Sequence, residues 1–385
     1  MQHLRSGGRR AVLPAVNGLR FFAAAHVMLE HTVHARVLPA PVLAAVGAGY
    51  TSATLLLVLS GFILVYVYSD GDGRMTVPRR EFWAARLSRI YPLFVLSQLL
   101  VLPLWMRTHG WGETWFPLAV GVSGTQAWFP SLAHVLNTPA WTISLLVLAY
   151  AAFPWLLERL RAVPVRRLPL AMGVAWALSA IPCLLFTHPG PAGTRFLFSF
   201  PVMRFPEFLF GMLLGKWFLS RPAPSGRASA AMVAGALAGW GAVLAVIGRV
   251  PRPVAHNGLL APVFALLLVG LASGHGGAVA RLLSRPPLQR LGNAGIAIFL
   301  LHLPFIAWVE AAGWYPGPTT AASALVYAGY LAATLTLSIV TTERFVAPVS
   351  RWARRRFGCP RMALPVLAAP LPVAIPVAAA APVGS

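Results

Sequence analysis

The chain has 385 residues, 58% of them hydrophobic and 10% charged, with a mean hydropathy of +0.71. Its repeated apolar stretches of about 17 to 25 residues exclude a soluble globular domain, because such runs span a roughly 30 Å hydrocarbon core as helices. A net charge of +22 invites a nucleic-acid partner, but the placement of the basic residues excludes that reading too.

The pattern predicts an all-α polytopic membrane protein, a bundle of about ten transmembrane helices. They lie near residues 16–37, 43–67, 83–105, 139–158, 168–186, 196–216, 229–248, 257–273, 291–313 and 320–342. With the N-terminus inside, the segments at or between the inner ends hold 24 of the 31 Lys and Arg residues. That asymmetry is the positive-inside rule, and it puts both termini in the cytoplasm. Residues 1–14 read as a cytoplasmic N-terminal segment, 15–356 as the transmembrane domain, and 357–385 as a Pro/Ala-rich tail that is expected to be disordered. No cleavable signal peptide is read, since the first apolar stretch is long and more spans follow it. Cys183 falls in a span and Cys359 in the tail, so no disulfide between them is expected.

The first span is unusually polar. Between Val16 and Val37 it holds Arg20, His26, Glu30, His31 and His34. Charged groups persist inside a bilayer where they line a cavity or pathway. Eleven residues separate Arg20 from His31, which at about 100° per residue returns to within about 20° of one face. A guanidinium and an imidazole therefore face the bundle interior together. His31 and His34 have ligand-like spacing, but no Cys or second acidic cluster completes a metal site, and none is expected.

Arg86 and Arg89 share a face at the start of the third span. They read either as topology signals or as an anion site at a helix N-terminus. Residues 106–138 contain Trp111, Trp115 and Trp128, yet a span there would put the basic cluster Arg159–Arg167 outside. The region is expected to be an outer loop lying partly in the interface. Trp141 and Ser144 open the fourth span, as an interfacial Trp with a helix-start hydroxyl or as substrate contacts. Arg204 and Glu207 flank Pro206 and pair either structurally or functionally. His302 precedes Pro304 in the ninth span, and it is either a packing residue or part of a site.

These pieces fall in an order that resembles the membrane-bound acyltransferase-3 family. The similarity runs through Asn17-Gly-Leu-Arg20 with His31, Val58-Leu-Ser-Gly-Phe62, Arg86-Leu-Ser-Arg89-Ile-Tyr-Pro92 and Trp141-Thr-Ile-Ser144. It continues through Arg204-Phe-Pro-Glu207-Phe-Leu-Phe-Gly211 and Leu291-Gly292 to Leu300-Leu-His302, covering about residues 14 to 356. The resemblance implies a multi-pass enzyme of a bacterial inner (plasma) membrane that moves an acyl group, commonly acetyl, from cytoplasmic acyl-CoA to a hydroxyl. Acceptors in such a family include surface polysaccharides, lipid-linked glycans and glycosylated metabolites. Acyl-CoA is a co-substrate, and no bound cofactor is implied. His31, Arg20, Arg86 and Arg89 are the functional residues carried over. Some members add an extracytoplasmic esterase-like domain, which is not read here.

The sequence departs from the family pattern at three places. Leu146 stands where an acidic residue is expected, Leu56-Leu57 replaces a Phe pair, and Gly295-Ile296 replaces Ser-Tyr. Glu30 and Glu207 are the carboxylates available to substitute. On this reading His31 is the general base, Arg20 positions or neutralises charge, and Arg86 and Arg89 hold CoA phosphates. His31 lies about 22 Å along the first helix, past the midplane, so the pantetheine arm is expected to thread inward toward it. Two other readings use the same residues: a catalytically impaired binding or scaffold protein, and a transporter of an anionic or glycan substrate.

Overall fold

The computed structural model describes residues 11–33, 39–70, 72–314 and 321–357. His34, Arg36, Cys359 and the rest of the tail lie outside the described residues. Seventeen α-helices account for the described fold. The first four are α1 Pro14–Thr32, α2 Ala40–Val46, α3 Thr51–Tyr68 and α4 Arg79–His109; then come α5 Trp115–Ser123, α6 Trp141–Ala162 and α7 Leu168–Leu185. After them run α8 Pro191–Ser199, α9 Pro201–Leu219, α10 Gly226–Ala245, α11 Arg252–His256 and α12 Ala261–Ala272. The chain closes with α13 Gly277–Leu283, α14 Pro286–Asn293, α15 Gly295–Ala311, α16 Ala321–Thr341 and α17 Ala347–Arg356.

Among the described residues eight helical stretches are long and apolar enough to cross a membrane, or nine with the bent pair α14–α15. The α1 helix is not among them, because Asn17, Arg20, His26, Glu30 and His31 dilute its apolar content. It is nevertheless enclosed by the bundle, with Val16, Leu19, Ala23, Ala24, Val27 and Met28 all buried. No span falls between Gly110 and Asn137; α5 is nine residues long, and Trp111 and Trp115 are exposed.

Prolines account for two departures from the expected spans. Pro201 at the start of α9 cannot continue α8, so the helix is interrupted at Phe200, while Pro191–Leu219 remains one stretch long and apolar enough to cross. The span expected at 291–313 is bent by 63° where α14 meets α15. The last helix was expected to end at 342. It instead passes through a π turn, Thr342–Val346, and runs on to Arg356. The widened turn accommodates Pro348, which has no N–H to donate to the preceding turn. At the first helix the expected end at 37 also moves, since Val33 is already extended.

The α3 helix is apolar on every side and buried along nearly its whole length, so it forms the axis of the bundle. Two apolar clusters meet on it. One gathers α1, α3, α9 and α12, and the other α1, α3, α4, α6 and α15. Gly61 and Gly211 let α3 and α9 approach at backbone distance, since a Cβ on either would overlap the carbonyl of Phe208 or Val58. Gly18 and Gly292 do the same for α1 against α13 and α14. Asn17 ties this junction with three hydrogen bonds of 3.1 Å, donating to Gln289 O, Gln289 Oε1 and Asn293 Oδ1. These contacts fix α1 against α14, immediately before α15, whose His302 meets His31 of α1.

Candidate active site

Arg20 of α1 meets Arg86 and Arg89 of α4 in one cleft of about 140 Å³. Its walls are Leu56 and Leu57 of α3, Leu146 and Tyr150 of α6, and Ile296 and Phe299 of α15. None of the three guanidiniums makes an ion pair among the described residues. Arg86 is only 7% exposed, its Nε and Nη2 have no hydrogen-bond partner, and its guanidinium lies 4.6 Å above the Tyr68 ring. A buried cation without a counter-charge costs several kcal/mol. Arg20 and Arg89 are half-buried beside Arg86, and three guanidiniums in an apolar cleft are an arrangement suited to an anion, since Arg forks match phosphate oxygens. All three departures noted in the sequence, at Leu56-Leu57, Leu146 and Gly295-Ile296, line this cleft. Leu146 leaves it without a carboxylate.

The cleft is long. Thr142 and Tyr150 both line it, and eight residues of helix measure about 12 Å. On α15 it reaches Phe299, whose ring sits 6.5 Å from that of His302.

His302 and His31 form the second centre. His31 Nδ1 and His302 Nε2 are 2.9 Å apart, with ring planes within 8° and centroids 5.2 Å apart. Those values describe two rings edge to edge in nearly one plane, with an N–H of one aimed at the lone pair of the other. His302 is fully buried, whereas His31 is exposed. His302 Nδ1 lies 3.0 Å from Ile298 O, and its own carbonyl accepts from Tyr330 Oη at 3.0 Å.

The sequence placed Arg20 and His31 on one face. Both do face α15, but eleven residues of rise separate them by about 16 Å. The structure brings Arg20 to Arg86 and Arg89, and His31 to His302.

Arg204 and Glu207 occupy a third place. Their side chains are fully buried and paired at 2.9 Å. Arg204 Nη1 also donates to His256 O at 2.6 Å and to Asn257 Oδ1, and its guanidinium lies 5.6 Å from the Trp141 ring. Glu207 accepts from Ser179 Oγ at 3.1 Å. Ser144 is fully buried and accepts the Ala127 N–H at 3.2 Å, which pins the outer loop to α6. These contacts are internal. They join α3, α7, α9 and α11, and they leave Arg204, Glu207, Trp141 and Ser144 occupied by protein.

Glu30 accepts from Arg252 at 3.1 Å. Arg252 in turn lies over the Tyr50 ring at 5.0 Å and is within electrostatic range of His31. His26 is absorbed between Ser52 Oγ at 2.8 Å and Ala45 O at 2.9 Å. In the loop before α6, burial, with Arg195 second, lowers His134 from the usual imidazole value. His134 Nε2 lies 2.8 Å from Ser199 Oγ. Among the described residues, no three His, Cys, Asp or Glu side chains are grouped to hold a metal ion.

Tyr150, Asn293, His256 and Asn257 are not singled out as site residues by sequence reasoning. A Tyr in an apolar span and a His-Asn pair at a span start were the available signals, and both residue types are common in such places.

The family model described as an acyltransferase domain matches residues 13–343. The chain is 27% identical over 323 residues to the acyltransferase MdmB of Streptomyces mycarofaciens, covering 77% of this chain and 79% of that protein. It is 29% identical over 333 residues to the exopolysaccharide production protein ExoZ of Rhizobium meliloti (strain 1021), covering 80% of this chain and 92% of that one. No solved structure matches.

Proposed function

The chain belongs to the acyltransferase-3 family, and from that premise we propose that it is an acyl-CoA-dependent O-acyltransferase acting on a glycan, lipid-linked glycan or glycosylated metabolite. One observation carries the reading. Along α1 and α15 lie an anion cleft, completed by Arg86 and Arg89 of α4 and without an ion pair among the described residues, and an exposed histidine about 16 Å further on.

Arg20, Arg86 and Arg89 bind the donor's phosphates, and the pantetheine arm lies along the apolar cleft toward His302. His31 then stands where the thioester arrives. An alcohol attacking a thioester must lose its proton as the C–O bond forms, and a neutral imidazole suits that role. His31 takes the hydroxyl proton, the tetrahedral intermediate collapses with loss of the C–S bond, and the proton passes to the departing thiolate. Arg252, whose charge acts on His31, is the cation we assign to the developing oxyanion. Arg20 serves the donor's charge rather than the oxyanion. The name of the Rhizobium relative supports a glycan acceptor, and acetyl is the proposed acyl group. The donor end faces the cytoplasm of a bacterial plasma membrane, in keeping with the positive-inside distribution.

The test of this geometry is two-sided labelling. In a background without Cys183 and Cys359, Cys introduced at His31 is expected to react with an impermeant reagent from the side opposite Arg80→Cys. Reaction of both positions from the same side alone would refute a donor threaded across the bundle.

A further inference from the structure

Resting on the reading of His31 as the base, we infer that His302 is a positioning residue that fixes the tautomer of His31 and leaves Nε2 as its basic atom. The argument follows the donors and acceptors inward. Ile298 O is a carbonyl and accepts only, so His302 Nδ1, 3.0 Å away, carries the hydrogen of that bond. A neutral imidazole with its proton on Nδ1 has a lone pair on Nε2. His31 Nδ1 is 2.9 Å from that lone pair and must therefore donate to it. The proton of neutral His31 is then on Nδ1. Its Nε2 is left bare on the exposed ring.

The near-coplanar alignment makes this bond directional. His302 is fully buried, the Ile298 carbonyl holds its Nδ1–H, and the Tyr330 hydroxyl anchors its backbone carbonyl, so the ring keeps this tautomer. Among the described residues no carboxylate bonds either ring, Glu30 being paired with Arg252 and Glu207 with Arg204. When His31 accepts the acceptor hydroxyl's proton at Nε2, its Nδ1–H continues to donate to His302, which shares the positive charge. When that proton leaves for the thiolate, both rings return to their starting tautomers. The cycle is balanced and needs no further group.

The test compares His302→Gln with His302→Leu and His302→Asn in purified protein in lipid, with labelled acetyl-CoA and a glycan-lipid acceptor fraction. Gln carries its amide at the level of the lost Nε2 and offers an acceptor to His31. Asn ends short of it, and Leu offers none. The expected result is a kcat within about 10-fold of the parent for Gln and about 100-fold or more below it for Leu and Asn, with KM for acetyl-CoA unchanged. Melting temperature and elution profile report folding of each variant. Equal kcat for Leu and Gln, both folded, would overturn the inference while leaving the general reading standing. Parent-level turnover by His31→Ala would instead remove the general reading itself.

Discussion

Replacing Glu207 by Gln tests whether the buried charges of α9 belong to the fold or to the chemistry. The change keeps shape and hydrogen-bond capacity but leaves the Arg204 guanidinium with no counter-charge, both side chains being fully buried and 2.9 Å apart. Arg204 would retain the His256 carbonyl at 2.6 Å and Asn257 Oδ1, which are dipoles and not charges. Removing one partner of a buried pair costs about 3–5 kcal/mol, because the other charge is stranded. That is a large part of the roughly 5–15 kcal/mol that keeps a domain folded. Thermal unfolding in detergent or nanodiscs is expected to show a marked loss of stability, with turnover per folded molecule close to the parent. A double change, Arg204→Met with Glu207→Leu, removes both charges and is expected to recover much of the loss. The residual deficit is about 1–3 kcal/mol for each orphaned acceptor at His256 and Asn257. A Glu207→Gln protein as stable as the parent but without activity would refute the reasoning and return Glu207 to the active site.

Three more expectations follow from the same contacts. Arg86→Met removes a buried guanidinium with two unpartnered nitrogens, so melting temperature should hold or rise while CoA affinity falls about 10- to 100-fold by calorimetry. Leu146→Glu puts a carboxylate among Arg20, Arg86 and Arg89, where it competes with the donor's phosphates. KM for acyl-CoA should rise at unchanged kcat, and a raised kcat would instead identify a missing catalytic acid. Gly61→Ala forces a methyl into the Phe208 carbonyl, so the yield of folded protein in membranes should fall sharply, whereas Gly235→Ala, which faces open space, should leave it unchanged.

How the sequence foretold these features varied with the physics. Spans between Arg-bearing turns were legible because hydrocarbon thickness sets their length and charge sets their ends. The exclusion of residues 106–138 from the spans came from charge placement, and among the described residues no span falls between Gly110 and Asn137. What the sequence did not yield was pairing at a distance. The phase of α1 correctly put Arg20 and His31 on one face, but angular phase ignores axial rise. Only the register fixed by Asn17, Gln289 and Asn293 assigns Arg20 to the cleft and His31 to His302. Similarly, three scattered departures from a family pattern became one fact when the fold gathered them around a single cleft. Trp141 and Ser144 looked like a motif. In space the Trp141 ring lies 5.6 Å from the Arg204 guanidinium and Ser144 accepts the Ala127 amide, contacts that no local pattern announces.

The most direct measurement is acyl transfer by the purified protein in lipid. Labelled acetyl-CoA would be supplied with a crude glycan and lipid acceptor fraction, and both free thiol and label transfer would be scored beside His31→Ala. The account predicts thioester cleavage matched by ester formation in the parent and neither in the variant. Binding of CoA without cleavage across a range of acceptors and acyl lengths, or movement of substrate across the membrane with the thioester intact, would contradict it.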